Sequence, residues 1–130
     1  MKLCIIILLA TSASASAADW AGFVKAIHLV ESGGRVGGVI LGDGGRSLGP
    51  LQISRAYHTD SRLSGSYESV TNLTYATATM RAYLQRYAPA ALAAGESAGR
   101  WEACARIHNG GPRGMSRATL GYWRKVEGKL

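Results

Sequence analysis

Val30–Ile53, VESGGRVGGVILGDGGRSLGPLQI, sets two carboxylates, Glu31 and Asp43, in a run otherwise built from glycines and aliphatics. Upstream of it the apolar residues Phe23, Ile27 and Val30 recur at helical spacing, so Glu31 falls in the last turn of an amphipathic helix that the following glycines stop. Val39, Ile40 and Leu41 form a short β-prone run, Ser47 and Leu48 a second, and Gly42, Asp43, Gly44 and Gly45 between them carry turn chemistry. The stretch therefore predicts a helix-end glutamate facing an aspartate at the tip of a glycine-rich hairpin.

Two such carboxyls suit glycoside hydrolysis. One must hold a proton for the leaving oxygen, and the other must stay ionised beside a developing positive charge. An apolar helix around Glu31 favours its protonated form, while backbone N–H groups and water around Asp43 favour the charged form. Glu31 is thus the candidate acid and Asp43 its partner. On spacing alone a plainer reading stands beside this one, in which Glu31 decorates a helix end and Asp43 makes an ordinary Asp-Gly turn.

The residues from Ile27 to Tyr57 resemble the invertebrate-type, destabilase-like lysozymes and their bacterial relatives: a helix ending in ESG, a glycine-rich hairpin with an acidic residue, then GPLQIS and an aromatic one turn on. A second block, ARIHNGGPRG followed by TLGYWRKV, is similar to the same family near its C-terminus. The resemblance implies a small lysozyme-like α+β fold, mostly helical, with a short β-hairpin beside the catalytic cleft. It also implies Glu31 as general acid and Asp43 as nucleophile or ion stabiliser. Gln52 and Tyr57 after the hairpin, and His108 and Asn109 in the second block, become candidates for holding substrate or orienting a carboxylate. His108 and Asn109 would equally serve as a C-cap cation and a left-handed cap. Leu51 stands where relatives tend to carry an aromatic, and glycines such as Gly34 and Gly38 stand about where animal relatives place cysteines, so the chain is closer to the cysteine-poor bacterial branch.

The 130 residues fit a single domain. Residues 1–17 read as a secretory signal peptide, with Lys2, the apolar run Leu3–Ala10 and Ala15-Ser16-Ala17 as an A-x-A cleavage site, which leaves 18–130 as the catalytic domain. The apolar run is too short for a membrane anchor, since a span needs about 18 or more apolar residues. The expected location is extracellular or periplasmic. Losing Lys2 from the 15 basic residues, with all 8 acidic ones retained, leaves about +6. Such a protein seeks polyanions, and bacterial peptidoglycan with its acidic polymers is the expected partner. The arginines (Arg55, Arg62, Arg81, Arg86, Arg106, Arg117) are spread along the chain, most of them as solvated charges, without the dense basic run that nucleic-acid recognition uses. Cys104 would stand alone in the mature chain, a small buried apolar residue, so no intramolecular disulfide forms. No metal-ligand cluster and no cofactor motif are present in the sequence.

Pro50 suits the first position of a helix with Leu51, Ile53, Ala56 and Tyr57 inward, and Arg55–Gly65 then reads as a loop with His58 at the surface. A central helix is expected over Val70–Tyr87, a small-residue linker over Ala90–Gly99, a helix over Trp101–His108 and a last helix from Ser116, where Tyr122 and Trp123 pack. The function expected is a secreted lysozyme cutting β-1,4 bonds of peptidoglycan. A lysozyme-like protein that binds walls, or a cationic antimicrobial, without turnover is the alternative.

Overall fold

Asp19 opens the first described helix by accepting the Gly22 N–H at 2.8 Å, satisfying one of the donors that a helix start leaves free. A computed structural model describes residues 17–130, and the leader assigned to residues 1–17 lies almost wholly outside them. Helix α1 (Trp20–Ser32) buries Phe23, Ala26 and Ile27 and ends at Gly33, whose left-handed backbone (φ 66°) returns its N–H to the Leu29 carbonyl at 3.0 Å.

After the glycine loop, β1 (Leu41–Gly42) and β2 (Ser47–Leu48) pair antiparallel around a 3-10 turn over Asp43–Gly45, as the turn chemistry predicts. A third strand, β3 (Ile53–Ser54), pairs with β2 and completes a sheet in the order β1-β2-β3. This corrects the expectation of a helix starting at Pro50. Gln52 takes a left-handed backbone (φ 51°) that turns the chain back along β2. The helix waits for Ser54, whose hydroxyl accepts the Tyr57 N–H at 3.2 Å. Helix α2 (Arg55–Ser61) then occupies the stretch read as a loop, and His58 is buried rather than exposed because the Tyr75 hydroxyl meets its Nε2 at 2.9 Å.

A 3-10 segment (Tyr67–Thr71) leads into α3 (Leu73–Tyr87), which is capped by the Asn72 side chain and so starts later than Val70. Pro89 opens α4 (Pro89–Ala98) where a linker was expected: proline suits a first helical position, and the alanines after it are strong helix formers. Helix α5 (Glu102–Gly110) and α6 (Leu120–Glu127) follow, the latter entered through a 3-10 turn over Arg117–Thr119 rather than directly from Ser116. Among the described residues no helix is long and apolar enough to cross a membrane.

The core lies mainly between the helices, with Leu48 of β2 and Ile53 of β3 joining it from the sheet. The Phe23 and Trp101 rings stack at 4.5 Å, both fully buried, and the Trp101 indole N–H donates to the Ala18 carbonyl at 2.7 Å. Truncating either ring to alanine would cost about 3–5 kcal/mol. Gly95 makes room for that indole, since a Cβ there would sit 2.3 Å from its ring. Cys104 is buried and free, as expected. Arg106 is an exception among the arginines expected to be mostly solvated, and it is buried. It bonds Glu102, Thr119 and the Ser116 carbonyl, and thereby ties the approach of α6 to α5.

Candidate active site

Glu31 sits in the last turn of α1 with its side chain 17% exposed. The next residue, Ser32, donates its buried hydroxyl to the Pro50 carbonyl at 2.8 Å, which joins the end of α1 to the chain leaving the hairpin. Tyr122, on α6, donates its hydroxyl to Glu31 Oε1 at 2.7 Å. His108, on α5 and with a side chain only 2% exposed, brings Nε2 to 3.4 Å from the same oxygen. Its other nitrogen, Nδ1, lies 2.9 Å from the hydroxyl of Tyr57 on α2, and the Tyr57 ring stacks on Tyr83 of α3. Helices remote in sequence thus converge on one carboxylate.

Asp43 is exposed at the hairpin tip in a left-handed backbone (φ 51°), a conformation aspartate tolerates better than most residues. Its Oδ2 accepts the Ser47 hydroxyl at 3.1 Å, and its own carbonyl accepts the Arg46 Nε–H at 2.9 Å, so side chain and backbone are both anchored within the turn. Gln52 braces the hairpin from below by donating its side-chain amide to the carbonyls of Gly49 (2.9 Å) and Ile40 (3.3 Å). Gly42 must be glycine for this brace to form, because a Cβ there would lie 1.6 Å from the Gln52 amide oxygen.

A cleft of about 620 Å³ brings together all six residues singled out in the sequence: Glu31, Asp43, Gln52, Tyr57, His108 and Asn109. They divide into kinds. Asp43 and Asn109 stand exposed on its walls, whereas Tyr57 and His108 are buried and spend their polar atoms on each other and on Glu31. Gln52 spends its N–H groups on the hairpin. Tyr122 was read only as packing, and its bond to Glu31 joins residues 91 apart that no local pattern connects. The available signal was its place in the TLGYWRKV block. Lys125, one turn further along α6, also lines the cleft.

Burial, followed by the nearby Glu31 charge, pushes the Tyr122 hydroxyl far above its ordinary range. Burial likewise raises Tyr57 well above its ordinary value, with Tyr83 and Glu31 adding to the effect. Both phenols therefore remain proton donors through the neutral range. The arrangement brings two carboxyls to the walls of one cleft, the residue types that acid-assisted cleavage of an acetal uses.

No family model matches the chain. It is 38% identical over 114 residues to a lysozyme of Meretrix lusoria, covering 80% of this chain and 84% of that protein. It is 33% identical over 132 residues to invertebrate-type lysozyme 2 of Caenorhabditis elegans, covering 93% and 91% respectively. Among solved structures, a chain in the crystal structure of Aeromonas hydrophila PliI in complex with Meretrix lusoria lysozyme superposes with a TM-score of 0.69 at 33% identity, covering 87% of this chain and 93% of that one. Tapes japonica lysozyme superposes with a TM-score of 0.65 at 27% identity, covering 86% and 93%.

Proposed function

This chain belongs to the invertebrate-type lysozymes, a glycoside hydrolase family, and we propose that it cuts the β-1,4 glycosidic bonds of bacterial peptidoglycan with Glu31 as general acid and Asp43 as its partner. The observation that carries this reading is the shared cleft: a partly buried glutamate held by a tyrosine, and an exposed aspartate on a braced hairpin tip, line the same cavity.

Glu31 hands its proton to the glycosidic oxygen as the bond to the anomeric carbon breaks, and the leaving sugar departs as an alcohol. The electron-poor ring that remains is stabilised by the Asp43 carboxylate, either as an ion pair or through a covalent ester. Water then attacks the anomeric carbon while Glu31, now a carboxylate, takes the water's proton and is restored. Asn109, exposed on the wall, can donate and accept, as sugar hydroxyl and acetamido groups require. The charge of about +6 left after loss of Lys2 favours an anionic wall over neutral chitin. Residues 1–17 act in this proposal as a secretory leader and residues 18–130 as the catalytic domain.

The test is clearance of a bacterial wall suspension together with release of new reducing ends. The wild type clears the suspension and generates ends, and Glu31→Gln does neither while still binding walls. If the wild type binds walls and generates no ends, the protein is a non-catalytic wall binder and the proposal fails.

A further inference from the structure

Both polar contacts to Glu31 fall on one oxygen. Tyr122 donates to Oε1 at 2.7 Å and His108 Nε2 stands 3.4 Å from that same atom. The buried Tyr57 hydroxyl meets His108 Nδ1 at 2.9 Å. A neutral imidazole carries its proton on one nitrogen only, so two arrangements are possible. If Nδ1 carried the proton it would donate to Tyr57, the hydroxyl hydrogen would be left in the interior without an acceptor, and the bare Nε2 lone pair would face Oε1. If Nε2 carries it, Tyr57 donates to Nδ1, so the buried hydroxyl keeps its acceptor, and the Nε2–H is on the side that faces the Glu31 carboxylate at ion-pair distance. Leaving a buried donor unsatisfied costs more than a made hydrogen bond gains, which selects the second arrangement.

We infer that Tyr57 and Tyr122 are positioning residues for the acid: Tyr122 directly, and Tyr57 by locking the His108 tautomer, hold Oε1 between two donors, so that the transferable proton resides on Oε2. The inference rests on Glu31 being the acid. It adds an orientation to that role. With Oε1 accepting from Tyr122 and facing the His108 imidazole, a proton there would displace the Tyr122 donor and meet the ring N–H, whereas Oε2 can bind and release it without disturbing either. When Glu31 gives the proton to the glycosidic oxygen, the charge left on the carboxylate is already met at Oε1 by two donors that do not have to move, which lowers the barrier to the first step. Tyr83, stacked on the Tyr57 ring, keeps that hydroxyl aimed at the imidazole. Burial keeps the Tyr57 hydroxyl protonated and able to donate.

The experiment is a nitrogen-15 spectrum of the histidine side chains of the full protein at a pH where His108 is neutral, its signals assigned by their loss in His108→Asn, together with steady-state kinetics of Tyr57→Phe and Tyr122→Phe. Phenylalanine keeps the Tyr57–Tyr83 stack and removes only the hydroxyl. The inference expects a protonated Nε2 and a bare Nδ1 in the wild type. In Tyr57→Phe it expects a mixed tautomer population with kcat lowered about tenfold and KM changed by less than about twofold, as befits loss of an interaction made to the reacting group rather than to bound substrate. Tyr122→Phe should lower kcat by a similar factor and leave the tautomer as in the wild type. A protonated Nδ1 in the wild type overturns the inference, as does Tyr57→Phe with unchanged tautomer and kcat, or with a raised KM alone. Should Tyr57→Phe fail to fold, the wild-type tautomer and the Tyr122→Phe kinetics decide. The tautomer does not depend on which carboxyl is the acid, so full turnover in Glu31→Gln would defeat the acid assignment while leaving the spectroscopic result standing.

Discussion

The Ser32 hydroxyl lies 2.8 Å from the Pro50 carbonyl oxygen, in the interior, one residue beyond Glu31 and two residues beyond the end of β2. This bond ties the helix that carries one carboxylate to the hairpin that carries the other, without a disulfide. The Gln52 amide and the Gly49 N–H, which donates to the Ile40 carbonyl at 2.8 Å, complete the brace.

Ser32→Ala should therefore lower stability by about 1–3 kcal/mol, the range for leaving a buried acceptor without its donor. Urea unfolding checks this through the transition midpoint. An unchanged midpoint would mean that the bond does not hold the two elements together.

Gly49→Ala should be more severe than Ser32→Ala. A Cβ at Gly49 would lie 2.2 Å from the Val70 carbonyl oxygen, backbone against backbone, and the residue sits at φ 83°. The left-handed conformation alone costs an L-residue about 1–2 kcal/mol, and the clash adds a shift of the hairpin against the Tyr67–Thr71 segment. The expected result is poor recovery of folded protein, or a melting temperature several degrees below that of Ser32→Ala. A Gly49→Ala protein as stable as the wild type would contradict the packing described.

How far these elements could be read in advance depended on how local their causes are. The end of α1, the glycine stop and the Asp43 turn are written in consecutive residues, and all three lie where the sequence indicates. Over Pro50–Gly65 sequence and structure differ because Pro50 has the chemistry of a helix start, while the left-handed Gln52 backbone and the Ser54 cap displace that start by several residues. His58 looked like a surface residue until Tyr75, 17 positions away, supplied its partner. Tyr122 escaped notice for the same reason, since its role exists only once α6 lies against α1. Helix α4 is hidden in the sequence by the small residues of Ala90–Gly99, one of which, Gly95, is the gap that admits Trp101.

Stability should fall under alkaline conditions. Burial pushes the Cys104 thiol from 9.0 up to about 12, and Tyr83 is raised from 10.0 to about 12 by burial and its neighbour Tyr87. Tyr57 and Tyr122 shift in the same direction. These groups ionise more readily in the unfolded chain, so their contribution is complete below about pH 9 and is lost progressively as pH rises toward about 12. Urea midpoints measured across that range should decline with pH, and Cys104 in the native protein at about pH 8 should resist thiol reagents that label it at once after unfolding. A flat profile together with rapid native labelling would contradict the burial of these groups.

Recruitment to walls should weaken with salt. A mature domain of net charge about +6 gains from an anionic surface only within the screening length, which shortens from about 10 Å at 0.1 M to about 3 Å at 1 M. Clearance of wall suspensions should drop across this range, while hydrolysis of a short neutral oligosaccharide should change far less. Equal sensitivity of the two substrates would remove electrostatics from the account of substrate choice.

The central claim, that Glu31 and Asp43 work as an unequal pair, is tested most directly by initial rates of reducing-end release from a soluble peptidoglycan fragment by the wild type, Glu31→Gln and Asp43→Asn, each first shown to be folded. Losing a general acid typically costs about 10²- to 10⁴-fold, and both variants should fall by at least about a hundredfold. An Asp43→Asn protein that hydrolyses at the wild-type rate would reduce the aspartate to a turn residue, and a Glu31→Gln protein that keeps more than about a tenth of the rate would remove Glu31 as the acid.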